Sequence, residues 1–308
     1  MKTSITSIAK LAGGLTLMAA SSFASASVVD TAHNLGSTNT SGGMTFSGTT
    51  EICIFCHTPH GGDQSVAAPI WNRTQSSTSV YTRFSAMNRI TFDADEAPIG
   101  SVSIACLSCH DGTQARDAVI NSPGSNSTGF VGDGAGTWMD GTTPATSYLS
   151  DLTASDNGTM GDMIYLGTDL RNDHPISMQY AGGGINSGAT LGATRDPDFA
   201  QADNTTGGFG ATAVSHATTS TNNNNGSGTG SVNYLSTAGG PKWYVDTGTA
   251  GYQGSDFPLY TRTDGLVATA QPYVECATCH DPHSANSTFL RLPGGNNGSQ
   301  VCLTCHAK

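Results

Sequence analysis

The pentapeptide Cys-x-x-Cys-His occurs four times in this chain, at residues 53–57, 106–110, 276–280 and 302–306, and uses all eight cysteines. On a helical turn, positions i, i+3 and i+4 share a face, so one turn presents two thiols and one imidazole to a single bound body. This spacing is typical of c-type haem attachment, in which both thiols form thioethers to the porphyrin and the histidine binds the iron. We therefore predict four haem c groups.

Each predicted site has two attachment cysteines and one proximal iron ligand. The predicted thioether residues are Cys53, Cys56, Cys106, Cys109, Cys276, Cys279, Cys302 and Cys305. The predicted proximal ligands are His57, His110, His280 and His306.

Two other kinds of site use paired cysteines. Zinc accepts Cys-x-x-Cys pairs, and an exported chain could hold a framework of disulfides. Neither site needs a histidine directly after every second cysteine, so both alternatives are weaker than haem.

Five further histidines are candidates for the second axial position of the irons: His33, His60, His174, His216 and His283. Four irons with two histidines each need four of these five. We expect His33, His60, His174 and His283 to be ligands. His216 adjoins a low-complexity run at 218–230 and is the expected spare.

The positions of His60 and His283 constrain the distance between haems. Each follows a proximal histidine by three residues, past Pro59 or Pro282, and cannot reach around the porphyrin to the far side of the same iron. Three residues span at most about 10–11 Å. If either histidine binds iron, it must bind the iron of a neighbouring haem held in near contact.

The first 26 residues predict a secretory signal peptide. Lys2 and Lys10 precede or flank an apolar run from Leu11 to Ala20, and small residues at 24–26 form a cleavage site. We expect an exported chain without a membrane span, in the extracellular space or at the cell surface, with the periplasm as the alternative. Without this segment, ten basic residues face 23 acidic ones, a formal charge of −13. With this excess of negative charge, we expect no binding to nucleic acid.

Composition predicts a poor conventional core. Charged residues make up 11% of the chain and apolar residues 36%, while Gly, Ser, Thr and Asn are abundant. Burial of four large apolar porphyrins would supply the missing transfer free energy. The predicted fold is therefore coil-rich, with short α-helices at the attachment motifs and a few short strands, wrapped around a stack of four haems.

We predict one tetrahaem domain over residues 27–308. It has one haem pair within 53–110, a Gly/Ser/Thr/Asn-rich middle over 111–275, and a second haem pair within 276–306. The segments 53–60 and 276–283 end in Cys-His-Thr-Pro-His and Cys-His-Asp-Pro-His, which indicates a repeated paired-haem module.

These segments carry a resemblance to known proteins. Residues 53–62 with Pro-Ile-Trp-Asn-Arg at 69–73, and residues 276–283 with Phe-Leu-Arg at 289–291, resemble the doubled Cys-x-x-Cys-His cytochrome family. More narrowly, the four motifs with Ala-His-Asn at 32–34, Asp-His-Pro-Ile at 173–176 and the ending Cys-His-Ala-Lys are similar to polymerising extracellular tetrahaem cytochromes, the cytochrome nanowires.

The resemblance to nanowires implies one continuous chain of haems and subunits joined by an axial histidine donated to a haem of the next protomer. The donor implied here is His33, near the mature terminus, with the loop histidine His216 as the alternative. The uncharged loops would then form an insulating sheath.

Three functions follow for such a chain. The first is a conducting filament subunit for extracellular electron transfer, passing electrons to partner cytochromes or to acceptors such as metal oxides. The second is a monomeric exported tetrahaem carrier. The third is a multihaem reductase, which needs an iron with an open position and is disfavoured by five candidate distal histidines. We expect an electron-transfer protein and predict no catalytic residue.

Overall fold

The computed structural model describes thirteen segments of the chain: residues 27–40, 43–75, 81–88, 94–122, 136–140, 143–151, 164–183, 195–196, 198–200, 231–237, 240–247, 252–265 and 270–306. The predicted signal peptide, His216 and the run at 218–230 lie outside them. Among the described residues, no helix combines the length and hydropathy needed to cross a bilayer.

Every Cys-x-x-Cys-His motif lies on a helical turn. The first begins on a 3₁₀ turn at Cys53–Phe55, and the second ends helix α1, Ser103–His110. The third and fourth lie on helix α2, Cys276–Cys279, and helix α3, Gln300–Cys305. Each turn is short because a single turn suffices to place both thiols and the imidazole on one face.

The described residues form two antiparallel sheets in addition to these turns. The smaller joins β1 (Met44–Phe46), β2 (Trp138–Asp140) and β3 (Thr143–Ala145) in that order. The larger has the order β4-β8-β7-β6-β5, and its long hairpin pairs Val232 with Val245. Its strands are β4 (Met178–Gln179), β5 (Ser231–Thr237), β6 (Gly240–Asp246), β7 (Phe257–Arg262) and β8 (Gln271–Val274).

In the part of the chain that the structure describes, the apolar core consists of three clusters, and an attachment cysteine packs against each of them. Trp243 and Phe257 of the large sheet pack with Cys279 and Cys305. The other two clusters, one around Trp71 and one around Trp138 and Phe46 of the small sheet, both include Cys56. The apolar residues of this sparse sequence are therefore concentrated around the motifs, where a porphyrin would complete the core.

Arg73 joins the first two motifs from the inside. Its side chain is fully buried, with 0% of the residue exposed. The guanidinium donates to the Ser108 hydroxyl and carbonyl and to the carbonyls of Ala115 and Arg116, at 2.8–3.2 Å. A single side chain thus holds the end of α1 and the loop that follows it against the segment that braces the first motif.

Arg73→Met should lower the free energy of unfolding by about 3 kcal/mol or more, because three buried carbonyls lose a charged donor at once. Guanidinium unfolding of the haem-loaded protein, followed by circular dichroism, measures the change. Arg171→Met is the matched control, since Arg171 pairs with Asp169 in solvent. A similar shift of the midpoint in both variants would contradict the role of Arg73.

Candidate haem-attachment sites

The first motif is braced by the segment at residues 69–72. The Thr58 N–H donates to the Ile70 carbonyl at 2.9 Å, and the Asn72 N–H donates to the Cys56 carbonyl at 2.9 Å. The imidazole Nδ1 of His57 lies 2.8 Å from the Pro69 carbonyl. Ile70 has a positive φ of 47°, which turns the brace toward the motif.

The third motif is braced in the same way by residues 288–291. The Asp281 N–H donates to the Phe289 carbonyl at 2.7 Å, and the Arg291 N–H donates to the Cys279 carbonyl at 2.9 Å. The His280 Nδ1 lies 2.9 Å from the Thr288 carbonyl. Phe289, like Ile70, has a positive φ, here 58°. The weak repeat in the sequence therefore corresponds to a repeat in backbone hydrogen bonding.

The other two motifs have partial versions of this brace. His110 donates from Nδ1 to the Ile164 carbonyl at 2.6 Å, and its own carbonyl accepts from Leu166 at 2.8 Å. At the fourth motif, the Cys305 carbonyl accepts from the Ala200 N–H at 2.7 Å, and the His306 ring lies 4.4 Å from that of Phe199.

The same kind of hydrogen bond orients five of the histidines. His33, His57, His110, His174 and His280 each place Nδ1 2.6–3.2 Å from a backbone carbonyl. Because a carbonyl only accepts, Nδ1 must carry the proton, and the lone pair is left on Nε2. A metal-binding histidine is usually fixed in this way, with the second nitrogen directed to the metal.

His33 lies between the second and third motifs. Its Nδ1 lies 3.2 Å from the Pro282 carbonyl, and its ring stacks on Phe289 with centroids 4.1 Å apart. The His110 ring centroid is 6.3 Å away. Burial, with the charge of His110 next in importance, lowers the pKa of His33 to about 4. Burial also lowers the pKa of His110. Both imidazoles are neutral at pH 7, as iron ligation requires.

His283 and His57 form a second pair, with ring centroids 6.1 Å apart and planes inclined by 24°. His283 is exposed, and its Nδ1 lies 3.7 Å from an Asp281 carboxylate oxygen. The structure thus brings together four predicted ligands in two pairs, each of one proximal and one distal histidine.

The remaining predicted distal ligands are not paired with a proximal histidine by the described contacts. His60 is exposed, and its carbonyl accepts from Thr58 and Asn121 at 3.0 and 2.9 Å. His174 is exposed, with Nδ1 3.0 Å from the Pro175 carbonyl. Their ligation remains a prediction, as does that of His216.

A buried polar network joins the second motif to the third. Glu275, 1% exposed, accepts from Ser103 at 2.5 Å and from Arg262 at 2.8 Å. The Ser103 hydroxyl also accepts from the Cys276 N–H at 2.9 Å. The Ser177 hydroxyl is a third donor to this carboxylate, at 3.2 Å. Burial raises the pKa of Glu275, and the three donors oppose that change. Sequence reasoning missed this network, because nothing in the spacing of these residues marks them as partners.

The motifs are also in contact through their cysteines. The Cys106 and Cys276 side chains share a hydrogen bond, which raises the pKa of Cys106 and lowers that of Cys276. Burial raises the pKa of Cys56 to about 12, with a contribution from the charge of nearby Cys109. These cysteines would hold the porphyrins of the first, second and third motifs.

The residues around the motifs fit haem better than a zinc site or a framework of disulfides. All eight cysteines are free thiols. In the part of the chain that the structure describes, no three His, Cys, Asp or Glu side chains are grouped to hold a metal ion, whereas zinc needs four ligands. The buried Trp71 Nε1 finds no acceptor among the described residues, and its ring lies 5.9 Å from that of His57. A haem propionate is an acceptor that could satisfy it.

Residues 268–308 match the family model described as the doubled CXXCH motif. The match covers the third and fourth motifs and confirms that this segment has the pattern of covalent haem c binding. No curated protein matches the chain. The doubled CXXCH segment marks a protein with the character of a c-type electron-transfer cytochrome.

Gly62 is the residue that lets the brace approach the first motif. A Cβ at this position would lie 2.7 Å from the Ile70 carbonyl carbon and 2.9 Å from the Trp71 oxygen. Gly62→Ala should therefore displace the brace and lower the free energy of unfolding by about 1–3 kcal/mol. Urea unfolding of the haem-loaded protein measures it.

Gly254→Ala provides the control, because a Cβ there meets nothing within 4 Å. It should leave stability unchanged or raise it by up to about 1 kcal/mol. Equal stability of the two variants would show that the close approach of the brace at Gly62 is unimportant.

Proposed function

We propose that this chain is a tetrahaem c-type cytochrome that carries electrons along closely packed haems with two histidine ligands each. The observation that supports it most is the set of four helical motifs connected through neighbouring side chains. Arg73, next to the brace of the first motif, donates to Ser108 of the second, and the Ser103 hydroxyl at the start of α1 accepts from the Cys276 N–H of the third. Cys279 and Cys305, from the third and fourth motifs, pack against the same apolar cluster.

A bound haem supplies the one-electron couple between ferric and ferrous iron, with a potential set by ligands, burial and hydrogen bonds. The chain does the rest. Its cysteines would hold each porphyrin, and the backbone carbonyls that fix Nδ1 of His57, His110 and His280 leave Nε2 for the iron. The clusters around Trp71, Trp138 and Trp243 pack against Cys56, Cys279 and Cys305 and would shield that side of the haems from water. We propose that the two sheets and the loops wrap the stack of four haems as a single domain.

The finer proposal is that the chain is exported and forms an extracellular, conducting filament at the cell surface. Its support is the resemblance of the motifs and of the segments 32–34 and 173–176 to filament-forming tetrahaem cytochromes. Electrons would pass to partner cytochromes or to acceptors such as metal oxides. A monomeric exported or periplasmic carrier is the alternative, and a reductase is disfavoured because enough histidines exist to fill every axial position.

The haem count is tested by the ratio of haem to chain. We expect four haems per chain by the pyridine haemochrome assay, and three after Cys106→Ala with Cys109→Ala, because that pair holds one porphyrin. A ratio of two in the unmodified protein, or an unchanged ratio in the double variant, would contradict the tetrahaem proposal.

Electron microscopy of haem-staining material sheared from cells tests the filament. We expect filaments whose subunit, by mass spectrometry, is this chain. Dispersed particles from a preparation rich in fully loaded protein would overturn polymerisation and leave the soluble carrier.

A further inference from the structure

We infer that this chain supplies both axial ligands of two irons from its own residues: His283 is the distal ligand of the haem attached at Cys53 and Cys56, and His33 that of the haem attached at Cys106 and Cys109. This inference rests on the proposed tetrahaem cytochrome and goes beyond it by assigning distal ligands to particular irons. It also makes His33 an internal ligand.

The separations of the two ring pairs carry the argument. Two imidazoles on opposite sides of one metal are joined by two bonds of about 2 Å, and each nitrogen lies roughly 1 Å from its ring centre, so the centroids are about 6 Å apart. The centroids of His57 and His283 are 6.1 Å apart, and those of His33 and His110 are 6.3 Å apart. Coordination does not fix the angle between ring planes, which is 24° in one pair and 61° in the other.

The hydrogen bonds leave the correct nitrogen for each iron. Nδ1 of His33, His57 and His110 faces a backbone carbonyl, so each offers Nε2. In His283 the Nδ1 lies toward Asp281, at 3.7 Å. A carboxylate near the second nitrogen is a usual partner of a metal-bound histidine.

The position of His283 in the chain excludes its own haem. It follows His280 by three residues across Pro282 and cannot reach the far face of the same porphyrin. The ring that the structure places near it, that of His57, belongs to a different motif. A distal ligand from the third motif therefore serves the first.

The repeat of the two braces extends this assignment. His60 stands in the first motif where His283 stands in the third, and both motifs have the same backbone hydrogen bonds. The equivalent role for His60 is distal ligand to the haem of His280. The first haem would then receive its distal ligand from the third motif, and the third haem would receive its distal ligand from the first motif, so that the two are held face to face. The distal ligand of the fourth haem would be His174, His216 or a histidine of another copy of the chain.

The pairing is tested with haem-loaded variants that open one axial position. In His283→Gly, one of four low-spin haems should become high-spin in electron paramagnetic resonance and should bind carbon monoxide when reduced. Adding Cys53→Ala and Cys56→Ala removes the first haem. If His283 serves that haem, the high-spin signal and the carbon monoxide binding should disappear, leaving three low-spin haems.

The same design applies to His33→Gly combined with Cys106→Ala and Cys109→Ala. His174→Gly is the comparison, because His174 is not assigned to the first or second haem. A high-spin signal in this variant should therefore persist when the cysteines of the first or second motif are replaced. Added imidazole should restore the low-spin spectrum of each glycine variant, which shows that the protein is folded. His283→Met and His33→Met serve if a glycine variant fails to load haem. Each keeps a sixth ligand on the iron and should raise the reduction potential of one of the four haems.

Persistence of the high-spin signal after loss of the paired motif would overturn that assignment. A potential shifted by His283→Met that remains after loss of the first motif would do the same. If dilution of the unmodified protein to monomers by itself makes one haem high-spin, and His33→Gly monomers show no additional high-spin haem, then His33 serves another copy and its internal assignment is overturned. If the unmodified protein lacked low-spin haem altogether, the proposed function itself would fail.

Discussion

The hydrogen bond from an imidazole Nδ1 to a backbone carbonyl is the interaction on which the other features of this site depend. It fixes the tautomer, the ring plane and the direction of the Nε2 lone pair in one contact. At the first and third motifs the carbonyl comes from a brace that also bonds the backbone of the motif itself. The brace in turn needs Gly62, because any side chain there would meet its backbone. Arg73, directly after the first brace, connects it to the second motif. The position of these five imidazoles is thus set by backbone and not by side chains that could change rotamer.

The sequence by itself predicts the attachment sites, because covalent chemistry is local. Two thiols and an imidazole must lie on one turn, and the helical turns at Cys53–Phe55 and Cys276–Cys279 are where the spacing predicts them. The doubled motif in residues 268–308 agrees with that chemistry. The haem-wrapped fold and the single domain remain predictions.

Other parts of the structure depend on contacts far apart in the sequence. The sequence pattern does not locate the large sheet. Strands such as β7 alternate apolar and polar residues over only six positions, and the segments that separate paired strands contain no motif that indicates the pairing. Ser103 and Glu275 are 172 residues apart, yet share a 2.5 Å hydrogen bond. The brace at residues 288–291 is another such case: its resemblance to residues 69–72 lies in hydrogen bonding and positive φ, while its residue types differ. No local pattern encodes such pairings.

The count of histidines links the internal ligands to assembly. Four irons with two imidazoles each need eight, and the chain has nine histidines. If His33, His60 and His283 serve irons of their own chain, the fourth iron is left with His174 or His216. His174 is an exposed residue whose Nδ1 is held by the next residue's carbonyl, so Nε2 carries the lone pair that a metal would bind. A ligand given by one copy to the last iron of another is a head-to-tail contact, and such contacts propagate as open filaments when the rotation between copies does not close a ring. Internal ligation by His33, His60 and His283 is therefore compatible with polymerisation: it would confine the subunit joint to the fourth iron.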